Sequence, residues 1–99
     1  MNKIENLRTL IEEQTKDRYI KDYGEESLHI HLPNIKTTIK PGKKYTKIDV
    51  GSSGKYMVDV SGNIYGVKAY GVIHSGHFYG NLDTINNYYW GDYKAYKNN

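Results

Sequence analysis

The 99 residues suffice for one domain with a modest core; only 37% are hydrophobic, and the aromatic ones are almost all tyrosine, with 11 Tyr against one Trp and one Phe, rings whose hydroxyls still need water or a partner. The absence of cysteine excludes a disulfide framework and a thiolate metal site, and the lack of a membrane-length apolar run or secretory h-region predicts a soluble cytoplasmic protein. The formal charge of +3 is split, with a net −2 over residues 1–26 and +5 over residues 27–99: an acidic helical end on a basic body.

Asn2 followed by Glu5 has the form of a capping box, and Ile4, Leu7, Leu10 and Ile11 recur on one helical face. This predicts a helix over residues 3–14. Ile20 and Tyr23 would extend it, with Gly24 as its stop. The period then changes. "SLHIHLP" alternates Leu28, Ile30 and Leu32 against His29 and His31 and is read as a half-buried strand ended by Pro33. "NIKTTIKPGKK" is a weaker extended stretch with a Pro41–Gly42 turn. From Tyr45 onward the short runs "YTKIDV", "KYMVDV", "NIYGVKA", "GVIH" and "HFYG" are divided by glycine-bearing turns at 51–54, 61–63 and 75–76.

If the Ser61-Gly62-Asn63 turn closes with a two-residue loop in either register, Tyr56, Val58, Val60, Tyr65 and Val67 share the core face, leaving Met57, Asp59, Ile64 and Lys68 outside. A bulged three-residue loop would reverse one strand against the other. Ser75–Gly76 as a two-residue turn would make His74 and His77 cross-strand neighbours, with Ile73 and Phe78 on the buried side. "LDTI" reads as a turn or helical start. Tyr88, Tyr89 and Trp90 are expected to fold back over one end of the sheet, with the chain frayed from about residue 95. The expected fold is α+β: a single domain over 1–99, its acidic helical segment (1–24) packed on a basic β-rich body (28–93) that forms a small, strongly curved, mainly antiparallel sheet or barrel.

Four histidines are the first candidates for chemistry. His74 and His77 across a turn, with His29 and His31 on one strand, could meet a Zn²⁺ if the two strands lay side by side; exposed histidines on hairpin faces are the commoner outcome. His74 or His77 could also be a general base oriented by Asp83 beside Tyr79, but no nucleophile accompanies them. "VGSSGKY" (50–56) fails the P-loop pattern, since Gly51 and Gly54 are too close and Lys55 precedes Tyr; it reads as a hairpin turn whose amides could form a small anion nest. No cofactor or metal is expected, and no enzymatic activity.

The broadest constellation is lysine interleaved with aromatic residues. Lys40, Lys43, Lys44 and Lys47 precede or enter one strand, Lys55 and Lys68 follow, and Tyr45, Tyr70, His74, His77 and Tyr79 lie among them. Rings beside phosphate-neutralising lysines are how small β folds bind single strands or RNA. Lysine gives general phosphate attraction and little base reading. Tyrosines on a small domain equally make a protein-binding surface, and the charge split is also what an ordinary solvated surface can carry.

From Tyr45 to Tyr93, "GSSGKYMVD", "GNIYGVKAYGVIHSGHFYG" and "LDTINNYYWGDY" resemble a group of small accessory proteins of phages, plasmids and integrated elements. The likeness covers about half of the chain, leaves the N-terminal helix outside, and carries no catalytic residue over. It implies a mobile-element binder, of which an anti-CRISPR-like inhibitor of a host defence nuclease complex is one kind. Such an inhibitor occupies a surface of a host protein or ribonucleoprotein and needs no active site. The basic body departs from the acidic, DNA-mimicking kind and favours contact with guide RNA or with protein. A small module for RNA or single-stranded DNA is the alternative, and a histidine metal site or hydrolase a second one.

Overall fold

The computed structural model describes residues 3–69, 72–91 and 95–97, with the backbone alone described at 68, 69, 72, 74 and 75. Helix α1 (Lys3–Tyr23) takes the extended form that ends at Gly24 and is followed by a 3₁₀ turn at Glu25–Ser27 and a second helix, α2 (Leu28–Ile35). Then come β1 (Thr37–Lys40), β2 (Tyr45–Val50), β3 (Ser53–Asp59), β4 (Asn63–Ala69) and β5 (Val72–Asn81). A 3₁₀ turn at Ile85–Asn87 leads to β6 (Tyr88–Tyr89) and β7 (Tyr96–Lys97), which pair with each other. The five long strands form one antiparallel meander in the order β1-β2-β3-β4-β5. The fold is therefore α+β, with an open sheet rather than a barrel.

Helix α1 ends where its sequence stops favouring helix. Gly24 adopts φ +87, and its N–H donates to the Ile20 carbonyl at 2.8 Å, a left-handed position that a side chain would strain. One stripe of α1 is buried: Leu7 and Ile11 are fully enclosed and Thr15 is 8% exposed, the i, i+4, i+8 spacing of a single helical face. Each fully buried aliphatic side chain contributes about 1.5–3 kcal/mol. The stripe packs with Ile48, Tyr56, Val58, Ile64, Tyr79, Ile85 and Trp90 in one cluster. The first-turn Asn2 lies outside the described residues, and so does the capping box.

Two strand assignments fail. Residues 28–35 form α2, not a strand. His31 stacks on Tyr23 at 4.7 Å and against Tyr19 at 5.1 Å, and Ile35 is buried while Ile30 and Leu32 are 63% and 49% exposed. The alternation thus sorts no inward face. Ser75–Gly76 is not a turn either. β5 runs continuously through it, with His74 opposite Gly66 and Phe78 opposite Tyr65, so residues 75–77 fall in a bulge. His74 and His77 share one strand and are not cross-strand partners.

The β3–β4 connection takes the three-residue form. Val58 pairs with Ile64 and Met57 with Tyr65; Gly62 adopts φ +89 and donates to the Asp59 carbonyl at 3.0 Å. Tyr56, Val58 and Ile64 consequently face α1, while Val60 is 86% exposed and Tyr65 lies on the opposite face with Met57. The two-residue face assignment is reversed for β4 as a result.

Of the residues expected to fray, 95–97 are anchored. Ala95 is buried and β7 pairs with β6. Trp90, 1% exposed, meets Tyr56 edge-on at 5.2 Å, and its Nε1 donates to the Ile85 carbonyl at 2.9 Å. The Trp90 amide donates to Gln14 Oε1 of α1 at 2.7 Å. No helix among the described residues is long and apolar enough to cross a membrane.

Candidate functional site

The pairing register fixes what the sheet displays on the side away from α1. Lys40 pairs with Lys47, Lys47 with Met57, Met57 with Tyr65 and Tyr65 with Phe78. Partners directly opposite in a sheet point to the same face. One transverse row, Lys40–Lys47–Met57–Tyr65–Phe78, therefore crosses all five strands. Met57 is 2% exposed although it faces away from the helix, with Lys47 and Tyr65 as its cross-strand partners. The Tyr65 and Phe78 ring centroids are 5.6 Å apart, and Phe78 is 51% exposed.

The two aspartates on this face are engaged by their neighbours. Lys40 Nζ lies 3.0 Å from Oδ2 of Asp49, which is almost fully buried. Asp59 accepts the backbone N–H groups of Ser61 and Asn63, the Asn63 side-chain amide and the Tyr65 hydroxyl, at 2.9–3.2 Å. Partial burial opposes ionisation of Asp59, but the donors from Asn63, Ser61 and Tyr65 outweigh it and hold the carboxyl below the ordinary aspartate value. Asp59→Ala should therefore cost about 1 kcal/mol at neutral pH, the low end for a solvent-screened charged acceptor. Because the folded value is the depressed one, that stabilisation is present above the unfolded value of about 3.9 and is lost as pH falls through the folded value. Urea denaturation of wild type and Asp59→Ala should show the gap at pH 7 closing toward pH 3.

At the end of the β1–β2 hairpin, Lys43 and Lys44 are exposed, and Lys44 Nζ sits 5.6 Å from the Tyr45 ring centroid. The structure thus brings Lys43, Lys44, Tyr45 and Lys47 together. Lys55 does not join them. It stands at the β2–β3 bulge, where Ile48 pairs with Tyr56 but Asp49 pairs with Gly54, and lines a cleft on the helix side of the sheet. His77 lines that cleft too, and Tyr79 is a core residue at 8% exposure, its hydroxyl pKa raised by burial. Neither belongs to the lysine face. Tyr70, and the side chains of Lys68 and His74, lie outside the described residues.

Met57 stands on the outer face as the sequence pattern predicts, whereas Tyr65 and Phe78, expected on the buried side, stand there with it. The signal was present in the three-residue β3–β4 loop, which puts Met57 and Tyr65 on one face, while the Phe78 position follows from the β5 bulge. The histidines are dispersed: His29 and His31 sit on α2, His77 on β5. Among the described residues no group of three or more His, Asp or Glu is placed to hold a metal ion. Comparison with protein-family models, with curated proteins and with solved structures returned no match.

Proposed function

We propose that this protein is a non-enzymatic binder of a mobile element that applies the outer face of its sheet to a host defence nuclease complex, in the manner of an anti-CRISPR inhibitor. The observation that carries the reading is the transverse row from Lys40 to Phe78, continued by Lys43, Lys44 and Tyr45 at the hairpin end. Binding surfaces are enriched in exposed aromatic residues, the lysines around them supply general attraction to anionic groups, and both aspartates on the face are already held by their neighbours. The mobile-element setting comes from the resemblance of residues 45–93.

Co-purification with CRISPR nuclease–guide complexes and a target-cleavage assay test it. A stable complex with loss of cleavage is expected, and Lys43→Glu/Lys44→Glu/Lys47→Glu should weaken it by about 100-fold or more, as reversing contact charges costs several kcal/mol. No complex with any nuclease tested, or a triple variant that inhibits as well as wild type, would reject the reading.

A second reading is favoured by one feature, the exposed Phe78 ring beside Tyr65. Base–aromatic stacking contributes about 1–3 kcal/mol per base, so the same face would bind single-stranded RNA directly. Fluorescence titration with an oligonucleotide at about 50 and 200 mM salt discriminates, since phosphate-led binding must fall steeply between them. Affinity indifferent to salt counts against it.

A further inference from the structure

The helix side of the sheet holds a cleft of about 740 Å³, bounded by the C-terminal half of α1, the β2–β3 turn, β5 and the C-terminal segment. This lies within the range of small-molecule sites, about 300–1,000 Å³. Its described lining includes Arg18, Lys55 and the hydroxyls of Ser52 and Ser53, and contains no aspartate or glutamate. The chain carries 11 acidic residues, and the described lining holds two basic side chains and none of the acids, Asp22 reaching only the Arg18 Nε from the next helical turn.

The two basic residues are positioned differently. Arg18 Nη1 donates to the Gly91 carbonyl at 3.4 Å, and its Nε lies 3.4 Å from Asp22 on the next turn of α1. Lys55 is the extra residue of the β3 bulge, aimed by the bulge rather than by the ladder. The half-buried rings of Tyr19 and His77 also line the space. His77 reaches it because Gly66 stands beneath, where a Cβ would come 2.7 Å from the His77 Cβ. The cleft therefore combines phosphate-binding groups with flat ring faces.

We infer that this cleft binds a nucleoside phosphate, with the phosphate against Arg18, Lys55 and the Ser52–Ser53 turn, and the base against Tyr19 and His77. The site is on the opposite side of the sheet from the lysine row and does not rest on the partner-binding reading. One chemistry has two sources here: a free mononucleotide, or the 5′-phosphorylated terminal nucleotide of a strand.

Isothermal titration of the full chain with 5′-mononucleotides tests this. Saturable binding is expected, with a loss of about 10-fold in Arg18→Gln and in Lys55→Gln, the effect of deleting one charge-assisted hydrogen bond. The unphosphorylated nucleoside should bind at least as poorly as those variants. Lys43→Gln/Lys44→Gln should leave mononucleotide affinity unchanged, so failure of this site and failure of the outer face are read separately. A 5′-phosphorylated oligonucleotide that displaces the mononucleotide makes the strand end the occupant; one that does not, while the mononucleotide binds, leaves the free nucleotide. Circular dichroism checks that each variant is folded, and Lys55→Gln carries the test if Arg18→Gln is not. No saturable mononucleotide binding, or affinity unaltered in the folded variants, overturns the inference.

Discussion

Trp90→Ala is expected to destabilise the protein by about 3–5 kcal/mol, the usual cost of emptying a large aromatic site, against a total of about 5–15 kcal/mol for a domain of this size. The ring is 1% exposed and meets Tyr56 and Tyr79 at 5.2 and 6.1 Å, both near edge-on. Such aromatic pairs contribute about 0.5–1.5 kcal/mol beyond area burial. Truncation also strands the Ile85 carbonyl that Nε1 satisfies. Trp90→Phe separates the two effects: it keeps most of the packing and loses the hydrogen bond, at a cost of about 1–3 kcal/mol. Urea titration followed by far-UV circular dichroism is the appropriate readout, because Trp90 is the single tryptophan of the chain. A midpoint for Trp90→Ala within error of wild type would mean that the C-terminal segment does not close this core.

Gly91→Ala should be costly for a different reason. A Cβ there would lie 2.5 Å from the Gln14 carbonyl oxygen and 2.5 Å from the Tyr89 hydroxyl. The first is backbone in the middle of α1 and cannot swing aside, so the C-terminal segment must retreat. That retreat pulls on the Trp90 amide bond to Gln14 and on the Arg18 contact to the Gly91 carbonyl. A loss of about 1–3 kcal/mol is expected, typical of overpacking at a close approach. Because Gln14 shares both the clash and the hydrogen bond, Gly91→Ala and Gln14→Ala should be non-additive in a double-mutant cycle. Additive losses would place the segment away from the helix.

Where local pattern and tertiary packing agree, the sequence is a faithful guide. The bounds of β2 and β4 are those of "YTKIDV" and "NIYGVKA", and the Leu7–Ile11 stripe is the buried face of α1. "LHIHL" misleads because five alternating residues are too few to distinguish a strand from a short helix. Its decisive interactions, the His31 contacts with Tyr19 and Tyr23, come from another element. Ser75–Gly76 misleads because a Gly-bearing pair serves a bulge as readily as a turn. The lysine cluster at 43–47 was legible since its members are neighbours in sequence. The row from Lys40 to Phe78 was not, since it exists only once four strand registers are fixed. The cleft was no more visible: Arg18, Lys55 and His77 come from three separate elements.

β5 ends the ladder order of the five-stranded sheet and is ten residues long. A straight rim of that length offers a template on which a second chain can polymerise, a recurrent hazard of open antiparallel sheets. The pairing of β5 with β4 slips at three places along its course, and at two of them the extra residues belong to β5 and turn its rim out of line. No long, uniform row of donors and acceptors is left for an incoming strand to copy. The irregularity that misplaced the histidines on paper thus works as a safeguard against self-association at the sheet's margin.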